Sequence, residues 1–368
     1  MLIEATDLAG GAYQRGLQHG QRLKAKVQGH LGAWLDSLAQ AGLGEGEAYA
    51  RNLLRDTDFR PAISRWAPDL LEETDGIADG ADLPRDLIFA LQLLDEEWAY
   101  RARRQAASEP LEKCSSFAIV TADGPTWIGQ NMDLGGYTDG WQIALRLERG
   151  GEAPGVQAFS AAGMIGLMGV NAAGLGVCVN SIPQLPSAPE GLPVAFVLRR
   201  LLQCRDLAEA SGMVRAIPHA TNQHYVIAQA GAARSFEASA AGVTEYQAPD
   251  PMRILHTNHP LGAEMGRAET EAQRENTVAR LASLEERLSA GRPGLAEVQA
   301  ALSAFDDPRH PVCRLRSPDS GLIGFTCGSM VSALRQGAAP VESWISAGPP
   351  SLGGFSRFEL PRDAIGHA

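Results

Sequence analysis

Two hydrophobic periods divide the chain near residue 114. Before it, apolar side chains recur at helical spacing: Leu17, Leu23, Val27, Leu31, Trp34, Leu35 and Leu38 mark one face of a helix over 14–40, ended by Gly42 and Gly44. Pro61 and Pro68 bracket a short piece that runs into 69–78, and Pro84 opens a helix from Arg85 to about Ala107. A proline in the first helical turn costs little, because that N–H has no partner there. From Cys114 the period becomes two, predicting strands at 114–121, 126–133, 141–149, 155–161, 163–170 and 175–181. The last two are joined by Asn171-Ala172-Ala173-Gly174, whose Asn and Gly tolerate positive φ. A helix from Pro193 to about Ile217 follows, then strands near 223–230, 233–239, 242–247 and 252–258. Residues 268–290 form an amphipathic helix with alternating Glu and Arg, and 294–305 another. Strands at 322–335 and 341–348 lead to a tail after Pro349-Pro350 and Gly353-Gly354. Strands, then helices, then strands again predict an α+β fold, a layered αββα domain over 114–368, preceded by a mostly helical segment over 1–113.

Composition narrows the function classes. The 368 residues are 45% hydrophobic and 20% charged, enough for one large or two modest cores. A net charge of −11 argues against a nucleic-acid or anionic-membrane partner. Arg101, Arg103 and Arg104 sit together, but Glu96, Glu97 and Glu109 flank them, so they read as a solvated helix face. The N-terminus has no basic stretch followed by an apolar run, and no 18-residue apolar stretch exists; the expectation is a cytoplasmic chain. Cys114, Cys178, Cys204, Cys313 and Cys327 then read as reduced thiols. No CxxC or HExxH pattern is present, so no metal and no cofactor is expected.

The chemistry centres on Cys114, the first residue of a strand that turns through Ala122-Asp123-Gly124-Pro125 into a second strand ending at Asn131-Met132-Asp133. A cut between Lys113 and Cys114 would let one residue supply a thiol nucleophile and, as its new α-amine, a general base. Such an amine has a pKa of roughly 8, so part of it is neutral at physiological pH. A carboxylate at the end of the neighbouring strand, Asp133, can accept a hydrogen bond from that ammonium, and Asn131 alternates onto the same face. The bland reading of Cys114 is a buried strand cysteine packing as a small hydrophobe; that reading suits the other four. His256 and His259 raise a cysteine–histidine protease, but in papain-like enzymes the cysteine sits at a helix N-terminus, and Cys114 begins a strand pattern.

Several segments, in order, resemble the isopenicillin N acyltransferase family of self-cleaving N-terminal-nucleophile (Ntn) hydrolases, and the related hydrolases of carcinine and β-alanyl-dopamine. They are Gly11-Ala12-Tyr13-Gln14-Arg15-Gly16-Leu17-Gln18-His19-Gly20, Cys114-Ser115-Ser116, Gly129 to Asp133, Gly163-Met164-Ile165-Gly166 leading to 169–176, His256-Thr257-Asn258-His259, Val312-Cys313-Arg314, Ser329-Met330-Val331 and Ser346 to Pro350. Several family members have Gly before the nucleophile where this chain has Lys113; cleavage there needs a strained or polarised peptide more than a particular side chain.

The resemblance implies Cys114 as nucleophile, Asp133 as the carboxylate beside it, Asn258 in the oxyanion hole and Arg314 as a cation favouring the thiolate. Asn171 has a similar claim in related Ntn hydrolases, against the equal claim of a turn residue. Tyr137, Trp141, Met164 and Phe325 are candidates to line an acyl or amine pocket, against a plain core role. The implied activity is hydrolysis of a small-molecule amide, of N-acyl or β-alanyl-amine type, through a thioester. Acyl transfer to an amine from an amide or acyl-coenzyme A donor, and a silent member that only binds, stand as alternatives. Self-association as a homo-oligomer stays open.

Overall fold

The computed structural model describes residues 3–104, 114–151, 153–266, 269–289, 291–317 and 324–362. The N-terminal part carries α1 (Ala12–Arg22), α2 (Lys24–Gln40), α3 (Gly46–Arg55), α4 (Arg60–Trp66), α5 (Pro68–Ala81), α6 (Arg85–Leu91) and α7 (Leu94–Arg104). The helix expected over 14–40 is two helices, because Leu23 leaves the helical region (φ −113°, ψ 21°). That break frees α1 to lie along α5 in a crossing without side chains between the backbones. A Cβ on Gly16 would stand 1.9 Å from Glu73 O, and one on Gly80 2.4 Å from Leu17 O. Gly20 and Gly76 meet the partner helix in the same way, so Gly16 and Gly20 of the 11–20 motif are a packing requirement. The helix expected from Arg85 to about Ala107 also breaks, at Gln92, whose side chain is drawn to the loop at Gly163 and Ile165.

Fourteen strands among the described residues form two sheets. The eight-stranded sheet orders β1 (Ala5–Leu8), β4 (Gln142–Leu147), β5 (Val156–Ala161), β6 (Met168–Asn171), β7 (Gly176–Ser181), β8 (Gln223–Gln229), β9 (Ala232–Ser239) and β10 (Gly242–Tyr246). The six-stranded sheet orders β11 (Arg253–His256), β2 (Ser115–Val120), β3 (Thr126–Gly135), β12 (Gly324–Leu334), β13 (Val341–Ala347) and β14 (Ser356–Leu360). Among these fourteen strands only the β1–β4 pair is parallel. Edge strands β1 and β14 escape a sequence reading because each is four or five residues long with a mixed burial pattern. The segment at 163–167, expected as strand, is a loop, since Gly163 and Gly166 take positive φ (90° and 152°) that a strand does not allow. The helix expected from Pro193 to Ile217 is α8 (Val194–Leu201) and α9 (Leu207–Ala216).

The sheets face one another, and the period-two alternation decides what each side meets. Phe117 and Ile119 of β2 turn outward into a core with Leu284, Leu288, Val298 and Leu302 of α10 (Glu271–Leu288) and α11 (Leu295–Leu302), whereas Ala118 and Ile128 turn inward. Across the inner space the Gln130 amide exchanges two hydrogen bonds with the backbone of Val179, and the absent side chain of Gly328 makes room for the Phe159 ring. Helices α8 and α9 cover the outer face of the eight-stranded sheet. The result is the expected four-layer αββα sandwich, with one addition: the N-terminal segment supplies strand β1 as well as helices.

Candidate functional site

Cys114 directly precedes β2 and is buried. Its Sγ shares the inner face with Met132 (Sγ–Sδ 3.8 Å) and receives the backbone N–H of Asp133 at 3.5 Å. Strand β3 therefore splits by alternation. Met132 and Leu134 join Cys114 in the wall of a pocket between the layers, and Asn131 points outward, its amide donating to the carbonyls of Leu302 and Val312. The Asp133 carboxylate accepts from Thr326 Oγ1 at 2.7 Å, and the same hydroxyl accepts from Arg314 N at 2.8 Å. A register shift between Thr326 and Gly328, opposite Asp133 and Met132, marks a β-bulge beside the site.

The cation nearest Cys114 is one the sequence reading missed. Arg280 of α10 is buried, and its Nη1 donates to Cys114 O (2.6 Å) and Ser115 Oγ (3.0 Å). Its Nη2 donates to Asn258 Oδ1 (2.8 Å) and its Nε to Asn276 Oδ1 (3.0 Å). A guanidinium only donates, so it fixes the Asn258 amide with Oδ1 toward Arg280 and Nδ2 toward Ser181, to whose carbonyl Nδ2 donates at 2.9 Å. Burial pushes Arg280 down to about 10, against the attraction of Asp133 and Cys114, so it remains cationic at neutral pH. Helix α10 reads as a solvated Glu/Arg helix, yet Asn276, Arg280, Leu284 and Leu288 are buried four residues apart. That stripe, apolar for two turns and polar for two, was the available signal.

The 256–259 segment is held from three sides. Asn180 Nδ2 donates to the carbonyls of His256 and Thr257, and Thr277 Oγ1 accepts from Asn258 N (2.8 Å). His256 stacks on His224 (centroids 3.6 Å) and pairs with Glu237 at 3.0 Å, which also gathers the N–H groups of Leu261, Gly262 and Ala263. His256 is thereby engaged in positioning this segment, and His259 Nδ1 meets Thr277 Oγ1 at 3.0 Å; burial pushes His259 down to about 4.

The pocket has a cavity volume of about 30 Å³ and is lined by Cys114, Met132, Leu134, Met164, Val179, Val194 and Leu198, with Gln92, Asp95, Ser181 and Gln223 as polar wall groups. Of the four expected lining residues, Met164 is in this wall and three are elsewhere. Tyr137 stacks on His30 (6.2 Å, 18°), Trp141 fills the space left by Gly29, and Phe325 is core opposite Leu134. Tyr137 and Trp141 are taken up by the space beside α2. Asn171 is not brought to Cys114 either: its amide donates to Leu202 O and Cys204 O and accepts from Leu175 N, anchoring a turn. The Arg314 side chain is half-buried, and its charge is felt at Arg280. Lys113 lies outside the described residues. Burial pushes the Cys178 thiol up, and Cys313 likewise, as inert thiols require.

Among the described residues no His/Cys/Asp/Glu group could hold a metal ion, and no helix is long and apolar enough to cross a membrane. The arrangement holds a thiol, a backbone N–H on its sulfur, an amide locked by a buried cation and a mostly apolar pocket.

A family model described as acyl-coenzyme A:6-aminopenicillanic acid acyl-transferase matches residues 120–321. The acyl-coenzyme A:6-aminopenicillanic-acid-acyltransferase 40 kDa form of Emericella nidulans is 28% identical over 247 residues, 67% of this chain and 66% of that protein, so the match spans just under two thirds of the relative. Among solved structures, a mutant conjugated bile acid hydrolase from Clostridium perfringens is similar with a TM-score of 0.45 and 14% identity, over 69% of this chain and 99% of that one. Penicillin V acylase from Agrobacterium tumefaciens is similar with a TM-score of 0.36 and 16% identity, over 67% and 86%.

Proposed function

The chain belongs to the acyl-coenzyme A:6-aminopenicillanic acid acyl-transferase family, and from that premise we propose that it is an N-terminal-nucleophile cysteine amidohydrolase activated by cleavage between Lys113 and Cys114. The observation that carries the reading is the setting of Cys114: its sulfur takes the Asp133 N–H and faces an apolar pocket, while its carbonyl and Asn258 share one buried guanidinium. In the reaction Sγ attacks the amide carbonyl carbon and the thiol proton passes to the Cys114 α-amine. The oxyanion forms beside Asn258. The C–N bond breaks, the ammonium returns its proton to the leaving amine, and a thioester remains. Water, deprotonated by the same amine, releases the acid and regenerates the thiol. Asp133 holds the α-ammonium, and Arg280 and Arg314 favour the thiolate and the oxyanion.

Acyl transfer, with an amine in place of water in the last step, is the second reading, supported by the name of the 28% identical relative. A purely binding role is the third. Intact mass under denaturing conditions tests the activation step: two polypeptides, the larger beginning at Cys114, are expected, and a single full-length mass together with amidase activity would sink the α-amine mechanism. Cys114→Ala is expected to abolish both cleavage and amide turnover; normal turnover in that protein would remove Cys114 from the chemistry.

A further inference from the structure

Resting on the reading of Cys114 and Asp133 above, we propose that Thr326 is a positioning residue of the site: its hydroxyl, held on the backbone of residue 314, fixes the Asp133 carboxylate where the Cys114 α-ammonium forms. Thr326 and Asp133 are both fully buried. They stand directly opposite one another on the paired strands β12 and β3, so their side chains share a face at cross-strand contact distance. The common role for a strand threonine is to fill such a face with a β-branched side chain. The hydrogen bonds of Thr326 assign it more. Residue 314 grips it twice: Thr326 N donates to Arg314 O at 2.9 Å, and Arg314 N donates to Thr326 Oγ1 at 2.8 Å. A hydroxyl has one proton to give. With the Arg314 N–H on its oxygen, Thr326 gives that proton to Asp133 Oδ1 at 2.7 Å.

The bulge next to Thr326 serves this placement. The register shift takes up Cys327, so that Thr326 faces Asp133 and Gly328 faces Met132. Asp133 brings its own backbone N–H to Cys114 Sγ at 3.5 Å; it meets the nucleophile through its main chain and Thr326 through its carboxylate. The charged and titratable groups around the α-amine are the Cys114 thiol, Asp133 of β3, Arg280 of α10 and Arg314, and the other three all act on the Arg280 charge. A carboxylate set among two arginines and an ammonium has competing partners, and a fixed orientation commits it to one of them. A neutral hydroxyl supplies that orientation without cancelling the carboxylate charge. The ammonium then keeps its counter-ion, which favours the protonated amine.

The test uses the self-cleaved full chain and needs no known substrate. The Cys114 sulfur is capped with methyl methanethiosulfonate, which forms the methyl disulfide and releases methanesulfinate, so the α-amine titrates without the thiol. Trace acetic anhydride labels that amine across a pH series, with a free amino acid as internal standard. Mass spectrometry of the peptide beginning at Cys114 gives the titration midpoint. Thr326→Val keeps the shape and removes the hydroxyl, and its α-amine is expected to titrate about one pH unit below the parent's, about a tenfold change in the proton equilibrium. Thr326→Ser keeps the hydroxyl and is expected to hold the parent midpoint. Ser332→Ala, which removes a buried hydroxyl further along β12 that meets Ser343 Oγ at 2.8 Å, should leave the midpoint unmoved. Thr326→Ala replaces the valine variant if that protein does not fold; if neither folds, the hydroxyl is structural and the proposal falls. A parent midpoint in Thr326→Val, or a low one in Thr326→Ser, overturns the proposal and leaves the α-amine mechanism standing. A valine variant with native circular dichroism that stays uncleaved places Thr326 in the cleavage step instead, which also overturns it. A parent that gives a single full-length mass removes the reading of Cys114 and the proposal together.

Discussion

Two of the arginine centres buried among the described residues are satisfied in opposite ways. In the N-terminal centre Arg199 of α8 meets Glu73 of α5 directly (2.8 and 3.0 Å), and Arg15 adds a second cation at 3.3 Å. Burial alone would raise the Glu73 carboxyl, but Arg199 and Arg15 hold it below the usual range. At Cys114 the bonds of Arg280 to described residues run to a backbone carbonyl, a hydroxyl and two amide oxygens, while the charge of Asp133 acts on it through space. A cation paired with a carboxylate is largely neutralised and serves architecture. A cation held by neutral dipoles keeps its potential for a neighbouring sulfur or oxyanion. The centres meet at the 162–166 loop. His30 holds Ala162 O, His19 holds Gly163 N, Gln92 holds Gly163 O and Ile165 N, and Arg199 also donates to Ile165 O. That loop contributes Met164 and Gly166 to the pocket, so the structural centre frames the wall the reactive centre uses.

The largest effect is expected from breaking the neutralised pair. Glu73→Gln leaves Arg199 and Arg15 buried without their counter-charge, a loss on the order of 3–5 kcal/mol. Urea denaturation should show it as a lower midpoint with an unchanged slope. If stability instead falls by less than about 1 kcal/mol, in the range of an exposed ion pair, the contrast between the centres is wrong.

Much of the outline is legible in the sequence, and what is not has physical causes. The change of period at Cys114 sets the inner and outer faces of β2 and β3, because alternation is a property of the strand itself. The Gly11 to Gly20 motif is visible as a pattern, but the reason for its Gly16 and Gly20, two helices in backbone contact, needs the partner glycines Gly76 and Gly80 sixty residues away. Arg280 is hidden because α10 carries charges all round, and only tertiary packing selects which of them is buried. Asp95 is hidden among Asp95-Glu96-Glu97, which reads as the acidic first turn of a helix. Asn171 shows the converse: its turn and its place in the family pattern suggest chemistry, and three backbone groups claim its amide.

A second, smaller effect separates the centres by activity. Arg280→Lys keeps a charge but loses the fork that joins Cys114 O to Asn258 Oδ1. With Asn258 no longer fixed, kcat/KM for an amide substrate is expected to fall on the order of 100-fold, the scale of one lost oxyanion donor, about 3 kcal/mol. The fall should lie in kcat, with stability less affected than in Glu73→Gln. A variant whose KM rises at constant kcat would make Arg280 a substrate-binding residue and not a positioning one.

The smallest effect is a difference in acid response. Burial pushes His19 down to about 4, with Glu73 opposing, and its Nε2 must be unprotonated to accept from Gly163 N at 3.0 Å. In the unfolded chain the imidazole titrates near 6.5. Between those values the unfolded state binds the extra proton, so stability is full above about 6.5 and declines as pH falls toward 4. The ceiling for one such group is roughly 3 kcal/mol. Arg280, cationic throughout that window, contributes no slope there. His19→Gln should therefore flatten the acid limb of a stability-versus-pH curve measured in urea, at a cost of about 1 kcal/mol at pH 7 for the altered hydrogen bond. Because His30 shares the limb, also pushed down to about 4 by burial, the flattening should be partial. An unchanged limb in His19→Gln would mean that the N-terminal centre does not carry the acid sensitivity, and that the 256–259 segment, where burial lowers His259, is the place to look.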